Sequence, residues 1–378
     1  MKLSVCYIVK DEEKNLPLSL ETVRSFADEL LIIDTGSTDG TRRIAEDAGA
    51  TVLDFAWRDD FAAARNFALD HATGDWIVFP DADEGFQHPE RVREKLLEID
   101  ARTPPIDAIM ITRVNMDPDT GVKQGNDRAV RLFRNTPSIR YWGRIHENIT
   151  HASGKLVLYR DDGTLSVYHT GYAEAIGMQK TERNFRLLQQ EIAEHGELPE
   201  HYINLAGCYF DFRKYQLALK YAILSLDSPL QPVASRVAPF HIAIESMRQL
   251  DWNLDEQLAL ANMAMAEYPN QPEFYGERGM ILCAMGRLKE ARASLLKAAD
   301  LYENPAAPPE AETYFTASAA ATVYARLGEL EALRENAEAA ETFFQKALKE
   351  NGPDEAIQKK YERFCEEKRS WHSRKDTL

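Results

Sequence analysis

Cysteine is scarce in this 378-residue chain: four residues, Cys6, Cys208, Cys283 and Cys365, with no CxxC pair and no metal-ligand spacing. They are expected as reduced, mostly buried thiols, which argues against a disulfide scaffold or a thiolate–zinc module. Long apolar runs are missing too. Nothing approaches the roughly 20 consecutive apolar residues of a membrane span, so no integral membrane segment is expected. The apolar start Leu3–Val9 stops at Lys10-Asp11-Glu12-Glu13, too short for a signal peptide and suited to a buried strand; a cytoplasmic location is expected. Cations are outnumbered, 45 Lys and Arg against 61 Asp and Glu for a net charge of −16. Nucleic acid and anionic membrane surfaces need the opposite balance and are excluded as bulk partners, while a small phosphate ligand on a local basic patch stays open.

The remaining composition, 44% hydrophobic and 28% charged, is that of a globular protein with material for more than one core, and the length predicts two domains. The first 170 or so residues alternate short β-branched runs with amphipathic segments, the pattern of βαβ units on a mostly parallel sheet. Strands are predicted at Leu3–Val9, Glu29–Asp34, Thr51–Asp54 and Asp75–Pro80, with helices beginning near Leu16, Thr38 and Asp60. Further strands are predicted at Ile106–Val114, Ala129–Phe133, Lys155–Tyr159 and Ser166–His169.

From about Glu174 the texture becomes helical. Gly177–His195 carries an apolar stripe that includes Met178, Phe185, Leu188 and Ile192. Small residues then recur at tetratricopeptide spacing in Pro199–Pro229 and Pro272–Pro305; Ala206 to Ala218 and Gly279 to Ala291 are each twelve apart, which sets two helices of a hairpin in register. A unit around Ile242–Pro269 is degenerate. In Tyr314–Pro353 the second small position slips to Ala340, which predicts a longer hairpin. Such pairs must stack to bury their faces. The expected organisation is an α/β domain at 1–172, a linker helix at 173–198, a helical repeat domain at 199–365 and a frayed tail at 366–378.

Three motifs carry chemistry. Trp76–Glu84 is an apolar strand ending in Asp81-Ala82-Asp83; in an extended segment alternate side chains share a face, so both carboxylates are expected to converge on one ligand at the carboxyl edge of the sheet. Two carboxylates there suit Mg²⁺ or Mn²⁺, whose shell substrate phosphate and water complete. Ile32–Thr41 is strand, small-residue turn and helix. Gly36 lets a ligand approach the backbone, Ser37-Thr38-Asp39 supplies N-cap chemistry for the following helix, and Asp34 heads the turn. It matches neither a dinucleotide fingerprint nor a P-loop. Asp60–Asn66 places Arg65 early in a helix, where its planar guanidinium suits a nucleotide base or phosphate, or pairs with a neighbour.

The combination IVKDEEKNL, IIDTGSTDGT, DFAAARN and VFPDADE resembles family 2 glycosyltransferases with a GT-A nucleotide-sugar domain. It resembles in particular the branch that appends tetratricopeptide-like helices, as in the sublancin-type peptide S-glycosyltransferases. The resemblance runs from about Ser4 to Tyr172 and implies an inverting, metal-assisted transfer from a UDP-sugar or similar donor to a peptide, protein or glycan. It implies that Val9, Glu12, Asp34, Gly36, Ser37, Arg65, Asp81 and Ala82 border the nucleotide-sugar and that Asp83 ligates Mn²⁺ or Mg²⁺. The chain departs from the branch at Asp11, where Asn is common.

Tyr141–Glu147 and His169–Tyr172 also fit the branch. Glu147 is the expected base, with His146 beside it as a catalytic candidate, and His146 or His169 is the expected metal or diphosphate contact. Were the segment a strand, His146 and Glu147 would face opposite ways. Of Arg128, Arg131 and Arg134, one is expected to reach phosphate and the others solvent. Two competing readings are a nucleotidyltransferase, which lacks its basic Gly-rich loop here, and a non-catalytic peptide-binding scaffold. The helical half suits either an extended acceptor or a homodimer.

Overall fold

The computed structural model describes residues 1–118, 121, 123–171, 177–228, 236–305, 316–351 and 354–375. Tyr172, Pro229, Tyr314 and Pro353, which mark the ends of sequence patterns above, lie outside the described residues. The chain divides into two compact units, Met1–Pro239 and Phe240–Leu378. The first therefore takes in the expected linker helix and first helical pair as well as the sheet.

In chain order the first unit runs β1 (Leu3–Val9), α1 (Leu16–Val23), β2 (Glu29–Asp34), α2 (Thr41–Asp47), β3 (Thr51–Asp54), α3 (Phe61–His71), β4 (Trp76–Val78) and β5 (Glu84–Phe86). It continues with α4 (Val92–Asp100), β6 (Ala108–Met116), β7 (Lys123–Arg134), β8 (Ile139–Trp142), β9 (Asn148–His151), β10 (Leu158–Arg160) and β11 (Ser166–His169). Three helices close it: α5 (Gly177–His195), α6 (Pro199–Asp211) and α7 (Tyr215–Asp227).

The main sheet has the order β3-β2-β1-β4-β7-β6-β11-β5, with β10 beside β6, and β8–β9 forms a separate two-stranded ribbon. Strands β3, β2, β1 and β4 are parallel. Beyond β4 the sheet is mixed: β7 runs antiparallel to both β4 and β6, β11 is parallel to β6, and β5 is antiparallel to β11. The expectation of a mostly parallel sheet thus holds only for the first half, because β6 and β7 pair directly without a helical crossover.

Both faces of the parallel half are covered. Leu3, Val5 and Tyr7 of β1 pack with Trp76 and Val78 in one core, and Cys6 packs with Ile33, Ile77 and Phe79 in the other. Burial on both sides explains why β1 reads as an unbroken apolar run. Cys6 and Cys208 are buried, Cys283 and Cys365 partly so, and none forms a disulfide. Met178, assigned to the apolar stripe of α5, is exposed.

The second unit is helical: α8 (Val237–Gln249), whose first three residues precede the division, then α9 (Leu254–Glu267), α10 (Pro272–Ala284), α11 (Leu288–Glu303), α12 (Thr316–Leu333), α13 (Ala337–Asn351) and α14 (Glu355–Lys375). The twelve-residue spacing has a steric meaning. A Cβ on Gly279 would lie 2.5 Å from Leu295 Cγ, so only glycine lets α10 and α11 approach this closely. The hairpin with the displaced small residue is longer, α12 having 18 residues against 13 in α10. Residues 366–375, expected as a frayed tail, continue α14. Among the described residues no helix is long and apolar enough to cross a membrane.

Candidate active site

The chain ends of β1, β2 and β4 deliver the motifs to one edge of the sheet. Asp34 closes β2, and its Oδ1 accepts hydrogen bonds from the Gly36 N–H (3.2 Å), the Ser37 N–H (2.9 Å) and the Ser37 hydroxyl (2.7 Å). Gly36 adopts φ +106°, and nothing lies within 4 Å of where a Cβ would stand. The turn therefore leaves open space over its backbone, as a ligand-facing turn requires.

Of the capping run Ser37-Thr38-Asp39, only Asp39 takes up a first-turn amide of α2. Ser37 serves Asp34, while Thr38 donates its N–H to Asp11 Oδ1 at 2.7 Å. The first-turn amide of Thr41 goes instead to Asp39 Oδ1 at 2.9 Å. Asp11 and Glu13, which accepts from the Gly40 N–H at 2.8 Å, thus staple the β1 loop to the β2 turn. The Val9 carbonyl is taken by the Thr35 N–H and hydroxyl at 3.0 and 2.9 Å. Glu12 lies near enough to Asp83 and Asp81 to feel their charge. Burial first, then those carboxylates, hold its carboxyl above the ordinary range, against a lowering hydrogen bond from Asn15.

Asp81 and Asp83 do not converge on one ligand as an extended segment would make them. β4 ends at Val78, and a turn closed by the Glu84 N–H on Asp81 O (3.0 Å) separates the two carboxylates. Asp81 faces two guanidinium groups, Arg65 Nη2 at 2.8 Å and Arg131 Nη2 at 2.6 Å. Burial alone would raise its carboxyl; Arg131 and then Arg65 outweigh this and hold it below the usual carboxylate range. Ala82, in the turn between them, is buried.

Asp83 has a different partner, its Oδ2 lying 3.3 Å from His169 Nε2. Sheet register builds this meeting: His169 of β11 sits opposite Glu84 of β5 and beside Asn115 of β6. Asn115 Nδ2 donates to Asp127 Oδ2 at 3.3 Å, so its Oδ1 accepts from His169 Nδ1 at 2.9 Å. That bond makes Nδ1 the donor to Asn115 and aims Nε2 at the Asp83 carboxylate.

The basic residues of β7 include the contact that sequence reasoning missed. Arg131 is buried; besides Asp81 it donates from Nε and Nη2 to Glu84 at 2.7 and 2.6 Å. Glu84, with no exposed surface, also lies 3.6 Å from Arg113, which forms a two-bond pair with Asp127 at 2.8 and 2.9 Å. Arg134 stacks over Trp76 and pairs with Asp100 at 2.8 Å. A continuous chain of contacts results: Glu147, Arg65, Asp81, Arg131, Glu84, Arg113, Asp127, Asn115, His169 and Asp83. Only a residue spacing that places alternating arginines opposite acids across β6–β7 could have hinted at it.

Arg65 emerges from the start of α3, whose N-cap Asp60 accepts from the Ala63 N–H at 2.8 Å. Its guanidinium is sandwiched between Phe79 (4.6 Å) and Tyr141 (5.2 Å), and its Nε donates to Glu147 Oε1 at 2.5 Å. The segment between β8 and β9 is a turn, with Gly143 at φ +103° and His146 at φ +54°. His146 and Glu147 consequently do not point to opposite faces. Both line one cavity of about 210 Å³, together with Arg65, Arg128, Arg131 and Tyr141. His146 is exposed, yet loss of bulk solvent around its ring, followed by the Lys180 and Arg183 cations of α5, pulls it down to about 4.

Among the described residues no group of three or more His, Cys, Asp and Glu side chains is placed to hold a metal. The donor set nevertheless fits a hard divalent ion that takes part of its shell from a diphosphate. Asp83 and the Nε2 of an oriented His169 supply two ligands, with the second imidazole nitrogen anchored as metal-bound histidines usually are. Gly171 keeps that space open, since a Cβ there would lie 2.0 Å from Asp83 Oδ2 and 2.8 Å from His169 Nε2.

Residues 4–164 match the Glycosyl transferase family 2 model. A TPR repeat-containing protein of Synechococcus elongatus is 32% identical over 312 residues, which cover 78% of this chain and 75% of that protein. The chain belongs to the family 2 glycosyltransferases that carry tetratricopeptide-like repeats. It is also similar to the SPbeta prophage-derived glycosyltransferase SunS of Bacillus subtilis, 28% identical over 201 residues, 51% of this chain and 46% of SunS. The chain thus spans about half the length of that relative. Among solved structures, glucosyl-3-phosphoglycerate synthase from Mycobacterium tuberculosis, in complex with Mn²⁺, UDP and glucosyl-3-phosphoglycerate, is 24% identical over 30% of this chain and 44% of its own. Its TM-score of 0.26 is too low to argue from.

Proposed function

We propose that this family 2 glycosyltransferase moves a sugar from a nucleoside diphosphate donor, UDP in the first instance, to an acceptor side chain or hydroxyl with inversion at the sugar carbon. The reading rests above all on the Asp83–His169 pair, in which Asn115 orients the imidazole. Val9, Glu12, Asp34, Gly36 and Ser37 border the nucleoside in this reading. Arg65, Asp81 and Ala82 lie toward the ribose. Asp83 and His169 would hold Mn²⁺ or Mg²⁺, which neutralises charge on the departing diphosphate.

The protein's own part is positioning and proton transfer. Arg65 fixes Glu147 by a 2.5 Å bond from Nε, keeping one carboxylate at the cavity wall where an acceptor proton can be taken. His146, neutral at pH 7, lines the same cavity and can share a hydrogen bond with the acceptor. Tetratricopeptide-like repeats are of a kind that binds extended peptides, which favours a peptide among the acceptor classes.

The test is thermal unfolding of the full chain against a panel of nucleotide sugars with and without Mn²⁺. A bound donor at a hundred times its Kd stabilises the folded state by about 2.7 kcal/mol. UDP-sugar hydrolysis or transfer is expected only with the divalent ion, and Asp83→Asn is expected to abolish it. Full metal-dependent turnover by that variant would overturn the metal assignment. Absence of any nucleotide response would overturn the transferase reading.

A further inference from the structure

The 210 Å³ cavity between β6–β7 and the β8–β9 ribbon is not the place where the donor motifs converge. It is walled by Met110, Val130, Ile149, Tyr141, Arg65 and Glu147, and neither Asp83, His169 nor the Asp34 turn lines it. Arg65 stands between the two places: Nη2 holds Asp81, Nε holds Glu147, and Nη1 is buried with no hydrogen-bond acceptor. The Tyr141 hydroxyl is likewise buried without a partner. Arg65 and Tyr141 are 5% and 8% exposed, so bulk water does not satisfy them, and an unmet buried donor is costly. Burial holds the Tyr141 phenol protonated, so both groups have a proton to donate.

The surroundings are basic on balance, three arginines against the one Glu147 carboxylate in the lining, with Lys180 and Arg183 outweighing Glu191 at His146. Arg128 and Arg131 line the cavity, and Lys180 and Arg183 of α5 act on His146 at its wall. Arg183 is surrounded by the Phe61 ring and Asn184 rather than by an acid. A guest that satisfies two N–H and O–H donors among cations is an anionic oxygen acceptor.

The geometry points to a subsite for the acceptor's carboxylate, in which Arg65 Nη1 and the Tyr141 hydroxyl hold the anion while Glu147 faces the group to be glycosylated. This rests on the transferase reading and adds to it the chemistry of the acceptor. The cavity takes about ten non-hydrogen atoms at protein packing density, one residue of an extended chain rather than a folded surface.

Saturation-transfer NMR on the full chain tests this with N-acetylserine, which has a carboxylate and a nucleophilic hydroxyl in ten heavy atoms, against N-acetylserinamide, which lacks the charge. The acid is expected to bind in the millimolar range, at least fivefold more tightly than the amide, and to remain bound when UDP and Mn²⁺ are added. Tyr141→Phe, which keeps the ring, should weaken the acid about fivefold. Ala129→Leu, which narrows the cavity from β7, should weaken it as well, each variant being checked for an unchanged melting temperature. Equal binding of acid and amide, no binding of the acid at tens of millimolar, or displacement of the acid by UDP would overturn the subsite. So would wild-type affinity in both variants. A chain that binds the acid but shows no response to any nucleotide sugar upholds the anion site and sinks the transferase reading, so the two failures are separable.

Discussion

Replacing Arg131 by Met should unbalance the site more than any surface change. Methionine keeps most of the buried stem but removes three short charge-assisted bonds, two to Glu84 and one to Asp81. Asp81 retains Arg65 at 2.8 Å. Glu84, with no exposed surface, would be left with the Asp81 N–H at 3.1 Å and Arg113 at 3.6 Å. Breaking a buried pair from one side costs about 3–5 kcal/mol, because the surviving charge stays buried. Against a total stability of about 5–15 kcal/mol this is a large share. Urea unfolding followed by near-ultraviolet circular dichroism should show the loss as a lower midpoint at unchanged slope. Adding Glu84→Gln to Arg131→Met removes the stranded charge and should return at least half of the loss. A single variant within about 1 kcal/mol of wild type would refute the reasoning. So would a double variant as unstable as the single.

Three further outcomes follow from the same geometry. Gly171→Ala should leave the fold intact but push the Asp83 carboxylate away from His169, weakening Mn²⁺ binding at least tenfold by titration calorimetry. Asn115→Leu removes the acceptor that orients His169 and should weaken Mn²⁺ by about 10–100-fold in the same titration. Glu12 has a carboxyl raised by burial and by Asp83 and Asp81, so its contribution to stability is present below its unfolded value and lost as pH rises through the folded one. Glu12→Gln should therefore gain on wild type between pH 4 and pH 7 in thermal unfolding; a constant difference across that window would contradict the assignment.

Much of the fold was legible because its cause is local. β1, β2, β3 and β11 have the bounds predicted for them; β1, covered on both faces, shows as an unbroken apolar run, while β3 at the sheet edge is marked by its Val-Leu pair. The twelve-residue spacing of Gly279 and Ala291 is visible because one helix must meet another at a glycine. The β8–β9 ribbon was missed: its strands are four residues each, polar at alternate positions and joined by a turn that depends on a left-handed His146. The role of Arg131 was missed for a different reason. Its partners Asp81 and Glu84 lie 50 and 47 residues away in sequence, and only the pairing of β4 with β7 brings them together. The Asp81-Ala82-Asp83 motif was found by composition but misjudged in shape, because a turn hidden in the word Ala-Asp-Glu splits the carboxylates between two tasks.

The linked chain of acids and arginines has an electrostatic consequence. From Glu147 to Asp83 five carboxylates, including Glu84 and Asp127, face the three guanidinium groups of Arg65, Arg131 and Arg113. Carboxylates against guanidinium groups, the assembly carries two negative charges in excess, which one divalent cation would offset. The site would then repel a bare nucleoside diphosphate and admit it together with, or after, the ion. Order of entry would be written into the charge balance of the sheet edge, with no moving part required.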